Sequence, residues 1–169
     1  MKRKLQLRLH PDPVLREQAT PLADIDRRVR SLMKGMAEIM YACEGIGMAA
    51  PQVGVSQRVI VADIGEGLLS LANPMVIYDE GEDDLVEGCL SLPEVRVNVR
   101  RKTSIIVRGI TADGKEIEWD AHGLMARVIQ HEIDHLNGVL IVDHGPVIVE
   151  PEYGQPEAPQ SAAEPPGKL

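Results

Sequence analysis

The sequence predicts an α+β fold: antiparallel β-strands packed around a central metal-binding helix, with a second helix near the N-terminus. Three observations carry that prediction. Apolar periodicity runs in the order strand, helix, many strands, helix, strand, without the regular strand-helix alternation of a parallel sheet. The dipeptide Asp113-Gly114 separates two strand-like runs and is a hairpin signal. The run His131-Glu132-Ile133-Asp134-His135 falls in a proline-free amphipathic stretch, Ala121 to Leu136, that stops at Asn137-Gly138.

Taken in order, Met1-Lys2-Arg3-Lys4 has the charge of a signal-peptide start, but Leu5-Gln6-Leu7-Arg8-Leu9 alternates apolar and polar, which predicts an early strand and a cytoplasmic protein. Asp24 to Tyr41 predicts the first helix, with Ile25, Val29, Leu32, Met33, Met36, Ile39 and Met40 on one face behind an Asp cap. Gly45 to Gly54 is a glycine-rich turn region. Strands are predicted at Arg58 to Ala62, Met75 to Tyr78, Val95 to Val99, Ser104 to Arg108 and Glu116 to Trp119, and after the second helix at Val139 to Val142.

With 169 residues the chain fits one catalytic-sized domain, 1–149, followed by a tail, 150–169, that holds five prolines, four glutamates and one lysine and has little to bury. Charged residues make up 26% and hydrophobic residues 44%, and no apolar run approaches a membrane span. A formal charge of -8, three Tyr, one Trp and no Phe argue against a direct nucleic-acid binder, because neither a basic stripe nor a stacking platform is visible. Two cysteines with no secretion signal read as thiols.

On a helix, residues four apart share a face, so His131 and His135 can hold one divalent ion, with Glu132 close enough to take a proton from a water on it. Leu124, Val128, His131 and His135 recur at steps of four, three and four, which puts both imidazoles on the stripe that faces the core. A catalytic site of this kind needs a third protein ligand. Downstream stand only Asp143, His144 and the tail glutamates; upstream stand Cys43, Cys89 and His122. Cys89 leads the field, because Glu87-Gly88-Cys89-Leu90-Ser91-Leu92-Pro93 reads as a tight turn able to support a ligand. Asp134 reads as an ion-pair group and Cys43 as structural.

Three blocks stand in order: Gly45-Ile46-Gly47-Met48-Ala49-Ala50-Pro51-Gln52, then Glu87-Gly88-Cys89-Leu90-Ser91, then Gln130-His131-Glu132-Ile133-Asp134-His135. Together they resemble the three signature motifs of the peptide deformylase family, over about Leu5 to Asp143, with Met48 where leucine is usual. The resemblance implies Cys89, His131 and His135 as ligands of one divalent metal per chain, Fe2+ physiologically, with Zn2+, Ni2+ or Co2+ tolerated. It implies removal of the formyl group from the N-terminal formylmethionine of nascent peptides by attack of metal-bound hydroxide, with Glu132 as general base and then acid.

The same resemblance places the Gln52 side-chain amide and the Leu90 backbone N–H at the oxyanion. Ile46 and Gly47 become backbone contacts for substrate, Leu124 and Val128 the lining of a methionine pocket, Glu87 a residue near its rim, and Arg96 a neighbour of the substrate backbone. Many members of the family end in a long C-terminal helix, in some cases basic and associated with ribosome docking. Gly145-Pro146-Val147-Ile148-Val149 and an acidic tail stand here instead, which counts against ribosome association through such an element. The rival readings are an endopeptidase using the same helix and a catalytically silent binding module.

Overall fold

The computed structural model describes residues 5–148. The acidic proline-rich tail, 150–169, and the basic start, 1–4, lie outside the described residues. The predicted class holds: α1 (Arg27–Ala42) and α2 (Gly123–Leu136) accompany two antiparallel sheets. Five strands form the larger sheet in the order β1 (Gly47–Ala49), β2 (Val59–Ala62), β3 (Leu69–Glu80), β6 (Ser104–Ile110), β7 (Glu116–His122). The other two, β4 (Asp83–Cys89) and β5 (Leu92–Arg101), form a separate hairpin.

The two helices cover opposite faces of the larger sheet at β2. Val59 and Val61 join α1 residues Val29, Leu32, Met36 and Met40 in one apolar cluster, while Ile60 and Ala62 join α2 residues Met125, Ala126, Ile129 and Leu136 in another. That is why β2 is a continuous apolar run: successive side chains point to opposite faces, and both are buried. α1 begins three residues later than the periodicity predicts. Asp26, not Asp24, caps it, its Oδ1 accepting the N–H groups of Arg28 and Val29 at 2.8 and 2.9 Å.

Several boundaries differ from the predicted ones for identifiable reasons. Residues 5–9 form no ladder; Arg8 N–H donates to the Gln52 carbonyl (2.7 Å) and His10 N–H to that of Ser91 (2.8 Å). Val139 to Val142 is not a strand either, but leads into a 3₁₀ turn (Ile141–Asp143) closed by Asp143 accepting from Leu140 N–H at 2.8 Å. β3 extends well upstream of Met75, with register shifts on each side of Met75-Val76; Pro74, which has no N–H, lies in the first of them. β4 was not predicted at all, because Asp83-Asp84-Leu85-Val86-Glu87 shows no alternation and four of those five residues are exposed. The Asp113-Gly114 hairpin is present, Gly114 taking φ 82° and donating to the Thr111 carbonyl.

Candidate metal centre

α2 starts at Gly123 because β7 runs on to His122, and it carries His131, Glu132 and His135 into the interior. Cys89 arrives from the other side. It ends β4 and pairs with Leu92 across the two-residue connection Leu90-Ser91, the tight turn expected of that block. The donor atoms of Cys89, His131 and His135 all lie within 4.8 Å of one another, and Cys89 Sγ is 3.3 Å from His135 Nε2.

The other third-ligand candidates are engaged elsewhere. His122 is exposed and lies 3.0 Å from Ser104 Oγ; Asp143 pairs with Arg16 and His144 with Asp134; Cys43 is exposed at the end of α1. One thiol and two imidazoles suit a borderline divalent cation. One further observation fits one: Glu132 Oε2, beside the three donors, is buried without a hydrogen-bond partner among the described residues, and a polar atom left in that state is costly unless a ligand or water meets it.

His131 is held by a second residue. The Glu87 carboxylate lies 3.0 Å from His131 Nδ1, so the proton of that ring sits on Nδ1 and Nε2 is left for the site. Burial alone would raise Glu87, but the hydrogen bonds from His131 and Arg101 outweigh it and hold the carboxyl well below the usual range. For His131, burial works against the charged ring, while Cys89 and Glu87 work for it and win, raising it to about 10. Burial lowers His135, helped by the charges of His131 and Arg101. Glu132 is pushed up to about 7, by burial first.

The glycine-rich block has a packing reason. A Cβ on Gly47 would collide with the Glu132 carboxylate and come within 2.7 Å of Val128 Cγ1, so only glycine lets β1 pass beside the acid. Gln52 is 1% exposed; its Oε1 accepts Ala49 N–H at 2.8 Å, which points Nε2 toward Ser91 Oγ (3.2 Å) and Cys89 Sγ (3.8 Å). The amide orientation is therefore decided by its neighbours, with the donor facing the cysteine.

Cys89, His131, Glu132, Gln52 and Glu87 border one cavity of about 600 Å³. Ile46, Gly47, Leu90, Arg96, Leu124 and Val128 line it too. Leu124, placed on the core-facing stripe by its spacing, is 50% exposed at the mouth, because the stripe runs out of the core where the cavity opens. Glu87 also departs from its expected place. It borders the cavity but is only 8% exposed, and both carboxylate oxygens are taken up by Arg101, Arg127 and His131, so it is not a free rim group.

Asp134 is the ion-pair group its position suggested, and its partners are Arg101 (2.6 Å) and His144 (2.8 Å). Arg101 and Arg127 were missed by sequence reasoning. A signal for Arg101 existed: it continues the inward parity of Val95, Val97 and Val99 along β5. Arg127 sits one helical turn before His131, beside Val128.

Comparison with known proteins bears on the body of the chain, not on its tail. The polypeptide deformylase family model matches residues 4–149. The peptide deformylase of Halothermothrix orenii is 50% identical over 141 residues, covering 82% of this chain and 92% of that protein. Among solved structures, the peptide deformylase of Thermotoga maritima superposes with a TM-score of 0.81 at 42% identity, over 84% of this chain and 97% of the other. That of Synechococcus elongatus, solved in complex with actinonin, superposes at 0.80 with 40% identity, over 85% and 80%.

Proposed function

The chain belongs to the polypeptide deformylase family, and from that premise we propose that it removes the formyl group from the N-terminal formylmethionine of newly synthesised proteins by metal-assisted hydrolysis. The observation that carries the metal-assisted part is the meeting of Cys89, His131 and His135 beside an unpartnered, buried Glu132. Those three side chains would hold one divalent cation, Fe2+ by preference, whose contribution when bound is Lewis acidity that lowers the pKa of a water ligand toward neutrality. Among the described residues no helix is long and apolar enough to cross a membrane.

The chain's own residues supply the rest. Glu132, with its pKa near 7 in the ion-free site, is suited to accept a proton from the attacking water and return it to the leaving amine. Gln52 Nε2, fixed by Ala49 and Ser91, donates to the oxygen that gains charge as the formyl carbon becomes tetrahedral, together with the Leu90 backbone N–H. His131 must surrender its raised proton before it serves as a ligand, so loading the site releases protons. Ile46 and Gly47 present backbone to the peptide, Leu124 and Val128 the wall for the methionine side chain, and Arg96, at the mouth, the peptide backbone beyond it.

The test is anaerobic purification with metal analysis, followed by formate release from formyl-Met-Ala beside cleavage of peptides with internal bonds. About one metal per chain with formate release is the expected result. Internal cleavage without formate release favours the endopeptidase, and absence of both metal and activity favours a binding module.

A further inference from the structure

The three donor atoms of the metal centre are carried by two bodies that share no β-ladder. Cys89 belongs to the β4–β5 hairpin, whereas His131 and His135 belong to α2, packed on the five-stranded sheet. The apolar residues of the hairpin, Leu92, Val97 and Val99, pack with Leu15, Leu140 and Ile141 and not with the cluster that holds α2. The seam between the cysteine's carrier and the histidines' carrier is crossed by charged groups.

Arg127 makes the densest set of crossings. From α2, its Nη1 donates to Glu87 Oε1 and to the Val99 carbonyl, both at 2.8 Å. Its Nη2 donates to the Asp83 carbonyl at 3.1 Å and to the Asp83 carboxylate at 2.5 Å. One guanidinium, its side chain 6% exposed, thus grips both strands of the hairpin at three residues. Apolar contacts are non-directional and tolerate sliding, whereas a planar fork with its donors engaged sets both distance and angle. The same residue lines the cavity between the two bodies.

We propose that Arg127 is a positioning residue that sets how the hairpin, and with it Cys89, is seated against the metal helix, and so how wide the cavity is. The hairpin tip is also held by Ser91, whose carbonyl accepts from His10 N–H and whose Oγ lies beside Gln52 Nε2, so loss of Arg127 shifts the hairpin without releasing it. The proposal rests on the reading of Cys89, His131 and His135 as a cation site, and not on which bond is hydrolysed.

The experiment compares Arg127→Met and Arg127→Lys with the wild type, and with Arg108→Met, which removes an exposed pair with Glu118. Each full-length protein is stripped with chelator and titrated with cobalt(II). The readouts are the cobalt dissociation constant, the thiolate-to-cobalt charge-transfer band, and KM and kcat on formyl-Met-Ala. Arg127→Met should bind cobalt about tenfold more weakly, the scale for losing a group that supports a ligand. It should also show an altered thiolate band and a KM that rises more than kcat falls. Lysine, which keeps the charge but not the fork, should recover part of each, and Arg108→Met should match the wild type.

A folded Arg127→Met with wild-type cobalt affinity, band and KM overturns the proposal. If the methionine variant does not fold, the same three wild-type values in Arg127→Lys overturn it. A wild-type cobalt spectrum without a thiolate band overturns it together with the cation site. A normal band with no formate release sinks only the proposed reaction, and the cobalt readouts still decide the role of Arg127.

Discussion

Two regions flank the cavity, and they bury their carboxylates by opposite means. In the body built from α2 and the larger sheet, Glu132 sits against Gly47 and Val128 with one oxygen unpartnered, and burial raises it. In the seam to the hairpin, Glu87 is also buried, yet two arginines and a histidine surround it and hold it low. The difference separates the two roles proposed for them: the unpartnered acid, with its raised pKa, suits proton exchange, and the surrounded one suits orienting His131.

The sharpest way to break that comparison is to remove one residue from each side. Glu132→Ala should lower kcat by about 10³-fold, within the usual range for an acid–base group, while metal content stays near wild type. Cys89→Ala should lose the metal itself. Turnover near wild type in Glu132→Ala would end its assignment as the base.

Next come the two ways of holding structure. Arg101→Met strands Glu87 and Asp134 without their shared partner and should cost about 3–5 kcal/mol in urea unfolding. Adding Glu87→Gln should recover part of that loss. Ile129→Ala, in the apolar body, should cost about 2–5 kcal/mol. It should gain nothing from Glu87→Gln, since the two sites share no contact.

The two acids also predict opposite pH limbs in the metal-free protein. Glu87 has its folded pKa below the ordinary 4.5, so its stabilisation is complete above that value and is lost as pH falls below it. Glu132 has its folded pKa raised to about 7, so the stability tied to its neutral form is complete below 4.5 and lost as pH rises toward 7. Unfolding midpoints measured from acid to neutral pH should show Glu87→Gln flattening the first limb and Glu132→Gln the second. The reverse assignment of limbs would falsify the contrast.

The smallest effect is expected at the surface. Arg16→Ala removes a half-exposed pair with Asp143 and should cost under about 1 kcal/mol, with a loss that shrinks further in high salt. A larger, salt-insensitive loss would mean that this pair, which ties the chain near Leu15 to the 3₁₀ turn beneath the hairpin, helps to seat the hairpin as Arg127 is proposed to do.

Much of the candidate site is legible in the chain because its chemistry is local. His131, Glu132 and His135 owe their relation to one helix, and their spacing declares it; Gln52 and Cys89 stand in compact blocks whose order adds weight. The apolar faces of α1, α2 and β2 are legible for the same reason, since a repeat of 3.6 or 2 residues, or a short unbroken apolar run, is written in consecutive positions. What the sequence by itself determined, then, is the class of fold, both helices, most strands and the candidates for the donors.

Only the tertiary structure decided the pairings across elements. The partners of Glu87 come from β5 and α2, those of Asp134 from β5 and the turn after α2, and the reason Gly47 carries no side chain is an acid 85 positions away. Neither β4, with its exposed acidic start, nor the 3₁₀ turn at Ile141, where a strand was expected, shows its conformation in local pattern. Charge pairs do not name their partners in local pattern, and the directional contacts that hold the hairpin run to distant residues, so the seam that brings Cys89 to the two histidines exists only once the chain has folded.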